Sequence, residues 1–204
     1  MLSLESLNQR LQLLLRPVVR SLAAMGVTPG RLTMVNVAGS IMVGLLLSGA
    51  STLGSLLLLA FPVWMLVRTV LMALWDLMAR ETAAVSRVRG LLREISDVTC
   101  DLALYLPLAG FDSRARLAVF AFSVGIVMTE FCGVAGALVG GRRQQGGPMG
   151  RTVRAIVVSC VLIPTAFVSF LGFFWLLPFW IFVVLQAVTC WNRVHASVTE
   201  AARS

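Results

Sequence analysis

Long apolar stretches recur along this 204-residue chain and limit the folds that it can adopt. A helix needs about 20 mostly apolar residues to cross the roughly 30 Å of bilayer hydrocarbon. The six candidate stretches are Leu32–Ser51, Leu53–Leu74, Val98–Phe111, Leu117–Val139, Ala155–Phe170 and Leu171–Cys190. Charged residues make up only 13% of the chain, which is about half the share typical of soluble domains. The sequence therefore predicts an all-α polytopic membrane protein with six transmembrane helices.

The six stretches occupy most of the chain, so we expect no separate soluble domain. A single membrane domain is predicted over residues 1–204. Its parts are an amphipathic juxtamembrane helix (1–26), a six-helix bundle (27–192) and a cytoplasmic tail (193–204). The third stretch has the length of a span only if its helix begins before Val98.

The residues before the first stretch have their own helical pattern. Between residues 4 and 22, leucine and valine recur on one helical face and polar residues take the other, which predicts a helix lying in the membrane interface. Pro17 should kink or split it. Gly26 then suits a C-terminal cap, Thr28 suits an N-cap and Pro29 suits the first helical position. The pattern predicts a helix stop followed directly by the start of the first span.

All 17 basic residues are arginines, and they are distributed unevenly around the apolar stretches. We assign fifteen to one side of the membrane, and only Arg114 and Arg116 to the other. Because basic residues are retained on the cytoplasmic side, we expect an inner, or cytoplasmic, membrane protein with both termini in the cytoplasm. The net charge of +8 follows this bias, so nucleic acid is not an expected partner.

Five of the nine acidic residues lie near the boundary between the second and third stretches. They are Asp76, Glu81, Glu94, Asp97 and Asp101. On a helix, Arg93, Asp97 and Asp101 share one face and Glu94 lies near it. Carboxylates gathered from two helix ends suit a divalent cation such as Mg²⁺, which takes oxygen ligands and leaves positions for phosphates. The alternative is a set of ion pairs that cap two helices without binding a metal.

Glu130 is the only acidic residue well inside an apolar stretch. A charged side chain at the bilayer centre costs roughly 2.5–3.5 kcal/mol on insertion scales, so we expect Glu130 to face the bundle interior with Arg or Thr as its partner. A small membrane carrier that uses Glu130 and the arginine-rich cytoplasmic mouth is therefore one hypothesis for the function.

The acidic segment and its surroundings resemble the CDP-alcohol phosphatidyltransferases, six-span enzymes that make phospholipids. The signature of that family is D-x-x-D-G-x-x-A-R, then eight residues, then G-x-x-x-D-x-x-x-D. Ala79 and Arg80 match its Ala-Arg pair, and Asp97 then falls on its last aspartate. The resemblance covers nearly the whole chain, and the run from Asp97 to Pro107 is similar to one subgroup of bacterial members.

This resemblance implies an enzyme that transfers a phosphatidyl group from a CDP-linked lipid to an alcohol and releases CMP. In the family, the aspartates hold two divalent cations that clamp the diphosphate, and the last aspartate is the general base, which would be Asp97. The implied substrate-binding residues are Ala79, Arg80, Arg89 and Arg93. The implied ligands of Mg²⁺ or Mn²⁺ are Asp76, Glu94, Asp97 and Asp101. The implied partners are a lipid like CDP-diacylglycerol, an alcohol that the sequence does not identify, and a second copy in a homodimer.

Several signature positions depart from the family pattern. The first three aspartates fall on Met72, Trp75 and Arg93, and the two glycines fall on Asp76 and Arg89. The four metal positions therefore carry a net charge of about zero instead of about −4, which cannot hold two bare cations. Two hypotheses stay open besides the carrier. One is an enzyme whose activity is weakened or rearranged around the four carboxylates. The other is an inactive pseudoenzyme that binds lipid or an active partner protein.

Overall fold

The computed structural model describes residues 17–81, 87–138, 144, 146–168 and 174–201, without the side chains of residues 81, 87–89 and 137–138. Every regular element in these residues is helical, which confirms the all-α prediction. The α-helices are α1 (17–24), α2 (Pro29–Ser48), α3 (Ala50–Leu53), α4 (Ala60–Glu81), α5 (Arg87–Tyr105), α6 (Arg116–Leu138), α7 (Arg151–Phe167) and α8 (Leu176–Ala201). Two short 3₁₀ helices, Ser55–Leu59 and Leu106–Gly110, precede α4 and follow α5.

Four described helical segments are long and apolar enough to cross a membrane. They are Pro29–Ser48, Ser55–Arg80, Arg116–Gly136 and Leu176–Ala201, and they correspond to the first, second, fourth and sixth predicted spans. The third predicted span begins earlier than its apolar residues suggest, because α5 starts at Arg87 inside the acidic segment. The fifth corresponds to α7, which has 17 residues. Spans at α5 and α7 stay predictions.

The turn between α1 and α2 follows the predicted cap chemistry. Gly26 has a φ of +72°, and the backbone N–H of Val27 donates to the carbonyl of Leu22 at 3.0 Å, as in a Schellman motif. Thr28 Oγ1 then accepts a hydrogen bond from a backbone N–H in the first turn of α2, and Pro29 is the first residue of that helix. Both cap predictions are confirmed.

The described part of α1 lies against the bundle. Val19 is buried and packs with Leu32 of α2 and with Leu77 and Met78 of α4. Residues 1–16, which carry most of the predicted amphipathic pattern, lie outside the described residues. The interfacial position of this helix therefore stays a prediction.

Helices α2, α4 and α5 form one packed group, and α6 packs along α8. Within the first group, a Cβ added to Gly44 of α2 would lie 2.0 Å from the carbonyl oxygen of Ala103 in α5. A Cβ on Gly39 would meet the Trp64 ring of α4 at the same distance. Small residues thus let α2 lie close to both neighbours. This packing fixes the spacing of three helices that also meet at the acidic segment.

An aromatic core begins one helical turn after Asp101, the last carboxylate of α5. Tyr105, one turn after Asp101, packs edge-on against Phe61 and Phe122 with ring centroids 5.2 and 5.4 Å away. Phe122 continues the stack to Phe179 of α8. The rings hold α4, α5, α6 and α8 together and leave the polar part of α5 at one end of the bundle.

The last helix continues beyond the C-terminal end of the apolar stretch that predicted it. The apolar pattern indicated Leu171–Cys190 and a separate tail at 193–204, whereas α8 runs from Leu176 to Ala201. Arg193 is buried in this extension, where its Nε donates to the carbonyl of Gly146 and its Nη1 donates to the carbonyl of Thr129. Helix α8 therefore continues past its apolar stretch because its polar face has partners inside the protein. The predicted junction at 170–173 lies outside the described residues.

Candidate functional site

A pocket lies between α2, α4 and α5, at the end of the bundle that carries the acidic segment. Its lining is Leu32, Thr33 and Asn36 from α2, Leu71, Met72 and Trp75 from α4, and Arg93 and Asp97 from α5. The alignment with the family signature assigned its four aspartate positions to Met72, Trp75, Arg93 and Asp97. The structure thus brings all four positions to the wall of one pocket.

Arg93 occupies the position of the third signature aspartate, and it is held from three directions. Its Nη1 donates to Oδ1 of Asp76 in α4. Its guanidinium lies 3.9 Å from the centre of the Trp75 ring, which is cation–π geometry. Its Nε is 3.8 Å from Oδ2 of Asp97, one turn along the same helix. The Arg93–Asp97 pair indicated by the sequence is present, but the closer partner of Arg93 is Asp76.

Asp97 is buried, and guanidinium groups from three helices surround it. Arg151, the first residue of α7, donates from Nη1 to Oδ2 of Asp97 at 2.7 Å. Arg68 of α4 donates from Nη2 to the Asp97 carbonyl at 3.1 Å, and the same nitrogen lies 3.9 Å from Oδ1. Together with Arg93, these contacts compensate the charge of a carboxylate that would be costly to bury alone.

Asp101 lies one turn deeper and is only 1% exposed. Arg68 Nη1 donates to its Oδ1 at 2.5 Å, and Arg154 Nη2 of α7 donates to its Oδ2 at 3.2 Å. Arg154 is fully buried and also donates to Oε1 of Glu130 at 2.7 Å and to Oγ1 of Thr129 at 2.8 Å. A single guanidinium therefore joins α5, α6 and α7.

Glu130 faces the interior, as predicted, and its partners are arginines. Besides Arg154, Arg151 Nη2 lies 3.4 Å from Oε2 of Glu130. Among the described residues, four arginines and four acidic residues thus form one charged network, which we call the arginine–carboxylate network. Its members are Arg68, Arg93, Arg151, Arg154, Asp76, Asp97, Asp101 and Glu130. Their formal charges cancel, which allows the network to extend from the pocket wall into an apolar bundle.

The family resemblance implies Mg²⁺ or Mn²⁺, and the described residues do not fit such an ion. Within the described part of the chain, no three His, Cys, Asp or Glu side chains lie close enough together to hold a metal. Asp76, Asp97 and Asp101 each contact at least one guanidinium. A divalent cation would have to displace those arginines against their charge. We therefore derive no metal-dependent step.

The remaining predicted site residues lie near the end of α4 or beyond it. Ala79 is buried, and Arg80 is exposed. The side chain of Arg89 lies outside the described residues. The role of Ala79, Arg80 and Arg89 in substrate binding stays a prediction.

Sequence reasoning missed the structural role of several arginines. Arg68, Arg154 and Arg193 were counted among the fifteen cytoplasmic arginines, yet all three are buried and bonded within the bundle. Arg68 carried a signal that could have found it, since it lies inside the predicted span Leu53–Leu74. A charged residue there needs an internal partner, and Asp101 provides it.

Comparison with known proteins identifies the family. No family model matches the chain. The chain is 33% identical over 156 residues to the inner membrane protein YnbA of Escherichia coli (strain K12). The aligned region covers 76% of this chain and 77% of YnbA. It belongs to the YnbA family. Together with the four long apolar helices, this relationship identifies a membrane protein.

Solved structures extend the comparison of this YnbA-family chain to the fold. The phosphatidylinositol phosphate synthase PgsA1 of Mycobacterium tuberculosis, in complex with manganese and citrate, matches at a TM-score of 0.75 and 22% identity over 90% of this chain and 88% of that one. The same enzyme with CDP-DAG bound matches at 0.72 and 24% identity over 90% and 92%. PgsA1 is a CDP-alcohol phosphatidyltransferase. The resemblance stated from the sequence is therefore confirmed in the fold.

Proposed function

We propose that this protein is a phosphatidyltransferase-type membrane protein of phospholipid metabolism that binds a CDP-linked lipid, with its metal-dependent transfer activity weakened or lost. The observation that carries this proposal is the pocket between α2, α4 and α5. It keeps the signature positions together but presents Met72, Trp75 and Arg93 where the family has metal ligands. The CDP-DAG complex of PgsA1 supports the choice of ligand.

The charged groups at the pocket suit the binding of a lipid phosphate better than the transfer of a phosphatidyl group. A guanidinium can donate two parallel hydrogen bonds to a phosphate, so Arg93 can meet a lipid phosphate directly. A general base must accept a proton from the attacking alcohol. The Asp97 oxygen Oδ2 already accepts from Arg151 and lies 3.8 Å from Arg93. Taking up a proton would neutralise Asp97 and weaken its ion pairs with these arginines, which supports weak or absent transfer.

The same proposal includes the membrane arrangement. We assign the third and fifth spans to α5, continued by the following 3₁₀ helix to Gly110, and to α7. Without the three buried arginines, twelve basic residues still lie on the side assigned to the cytoplasm against two on the other. This bias supports a pocket that opens towards the cytoplasm. A single domain and a homodimer complete the proposal.

We expect CDP-diacylglycerol to raise the melting temperature of the detergent-purified protein equally in EDTA and in Mn²⁺. A ligand that binds only the folded state adds about 2.7 kcal/mol at 100 times its Kd. Thermal denaturation followed by intrinsic fluorescence measures this shift, and CMP release in the same samples measures transfer. A shift that requires Mn²⁺ and disappears in Asp97→Ala, with CMP release, would instead establish a rearranged metal enzyme.

A further inference from the structure

One contact of the arginine–carboxylate network is far more exposed than the others. The side chain of Asp76 is 49% exposed and that of its partner Arg93 is 19% exposed. The carboxylates of Asp97, Asp101 and Glu130 are 5%, 1% and 6% exposed. Breaking an exposed ion pair costs little, whereas breaking a buried one leaves an unpaired charge in apolar surroundings. The contact that can open at low cost is therefore the one between Arg93 and Asp76.

Opening that contact changes the charge of the pocket wall. With Asp76 turned to water, the remaining members of the network are four arginines and three carboxylates. They carry one uncompensated positive charge, and Arg93 is the member that loses its closest carboxylate, keeping Asp97 at 3.8 Å and the Trp75 ring. The ligand that restores neutrality there is a group with one negative charge. A phosphate diester has that charge and the oxygen spacing that a guanidinium binds in a bidentate way.

A second observation points to a ligand in the same place. Asn36 lines the pocket and is 5% exposed, and its side-chain oxygen Oδ1 is buried without a hydrogen-bond partner. A buried acceptor left unpaired costs about 1–3 kcal/mol, so it favours a ligand that brings a donor. The apolar lining from Leu32, Leu71 and Met72 suits the carbon atoms beside such a group.

We propose that Asp76 competes with a ligand phosphate for Arg93, and that a singly charged phosphate group replaces Asp76 when the ligand enters the pocket. Asn36 Oδ1 then accepts a hydrogen bond from a hydroxyl or amino group of the same ligand. The identity of that ligand as a CDP-linked lipid rests on the proposed function. The exchange itself needs only one singly charged phosphate group, which is one of the two phosphates in the diphosphate of CDP-diacylglycerol or the phosphodiester of an anionic glycerophospholipid.

The test compares Kd values of the full-length protein in detergent and EDTA for CDP-diacylglycerol and for phosphatidylglycerol. Asp76→Asn removes the competing charge, so we expect it to bind about threefold to tenfold more tightly than the wild type. Arg93→Gln removes the phosphate donor, so we expect at least about tenfold weaker binding. Asp112→Asn is the matched control, because it removes a carboxylate outside the network and can still accept the hydrogen bond from the Arg114 backbone N–H. Melting temperatures without ligand check that each variant is folded.

The outcomes separate this exchange from the proposed function. Tighter binding of CDP-diacylglycerol alone by Asp76→Asn supports the exchange and assigns the nucleotide lipid as ligand, whereas tighter binding of both lipids supports it for phosphodiester lipids generally. Wild-type binding of CDP-diacylglycerol that neither Asp76→Asn nor Arg93→Gln alters overturns the exchange and leaves the proposed function standing. If the folded wild type binds neither CDP-diacylglycerol nor phosphatidylglycerol, both the exchange and the proposed function are overturned.

Discussion

Replacement of Arg154 by methionine is expected to cost the folded protein about 3–5 kcal/mol, because it removes one partner from a buried set of charges. Arg154 is fully buried and donates to Asp101, Glu130 and Thr129 on two other helices. Methionine fills similar space but leaves two carboxylates with one guanidinium fewer. A loss of this size is a large part of the 5–15 kcal/mol typical of folded proteins. The measurement is the melting temperature and the monodisperse yield of the purified protein.

Two further variants decide whether lost charge pairing is the cause. Arg20→Met removes an arginine from an exposed position of α1, and we expect a change within about 0.5 kcal/mol. Glu130→Gln combined with Arg154→Met should cost less than the sum of the single changes, because the two groups lose their charges together. If Arg154→Met melts at the same temperature as Arg20→Met, the network does not stabilise the bundle.

Substitution of Gly44 by alanine should destabilise the bundle by about 1–3 kcal/mol, the usual cost of overpacking. The added Cβ would lie 2.0 Å from the carbonyl oxygen of Ala103, a backbone atom that cannot rotate away. Helix α2 must then move away from α5. We expect weaker lipid binding as well, since Asn36 lies on α2 and Arg93 lies on α5. Melting temperature and the Kd for CDP-diacylglycerol measure the two effects.

Gly90→Ala in α5 is the matched control for the glycine substitution. No heavy atom lies within 4 Å of its added Cβ, so the methyl group meets open space. Alanine has a higher helix propensity than glycine, and the expected change is a stabilisation of up to about 1 kcal/mol. Equal melting temperatures for the Gly44→Ala and Gly90→Ala proteins would contradict the close α2–α5 contact.

Features that depend on neighbouring residues could be predicted from the sequence. The caps at Gly26, Thr28 and Pro29 require only local backbone geometry and local hydrogen bonds. The inward position of Glu130 follows from the cost of a charge in hydrocarbon, whichever residue pairs with it. The spacing of the family signature assigned its four aspartate positions to Met72, Trp75, Arg93 and Asp97. The structure places these four residues around one pocket.

Features that depend on contacts between distant residues could not be predicted in the same way. The arginine partners of Asp101 lie 33 and 53 positions away in the chain, on two different helices. Arg93 and Asp97 lie four residues apart on one helical face, so the sequence indicated Asp97 as the partner of Arg93. In the structure the closer carboxylate is Asp76, which lies 17 positions earlier in the chain. That choice depends on the relative placement of α4 and α5, which both pack against α2. An earlier start of α5 was anticipated from the shortness of the third apolar stretch, but its position at Arg87 was not, because the first turns of α5 are polar.

The distribution of charges among the helices has a consequence for biosynthesis. Helix α4 emerges from the ribosome with Arg68, but its carboxylate partner Asp101 is made later, in α5. Glu130 of α6 in turn precedes Arg151 and Arg154, which contact it from α7. Each of these helices on its own would place an unpaired charge among apolar residues. With α5 and α7 assigned as the third and fifth spans, as proposed above, we expect α4 to α7 to associate as a unit during insertion, and a nascent chain that stops before α7 to be less stable in the membrane than the full chain.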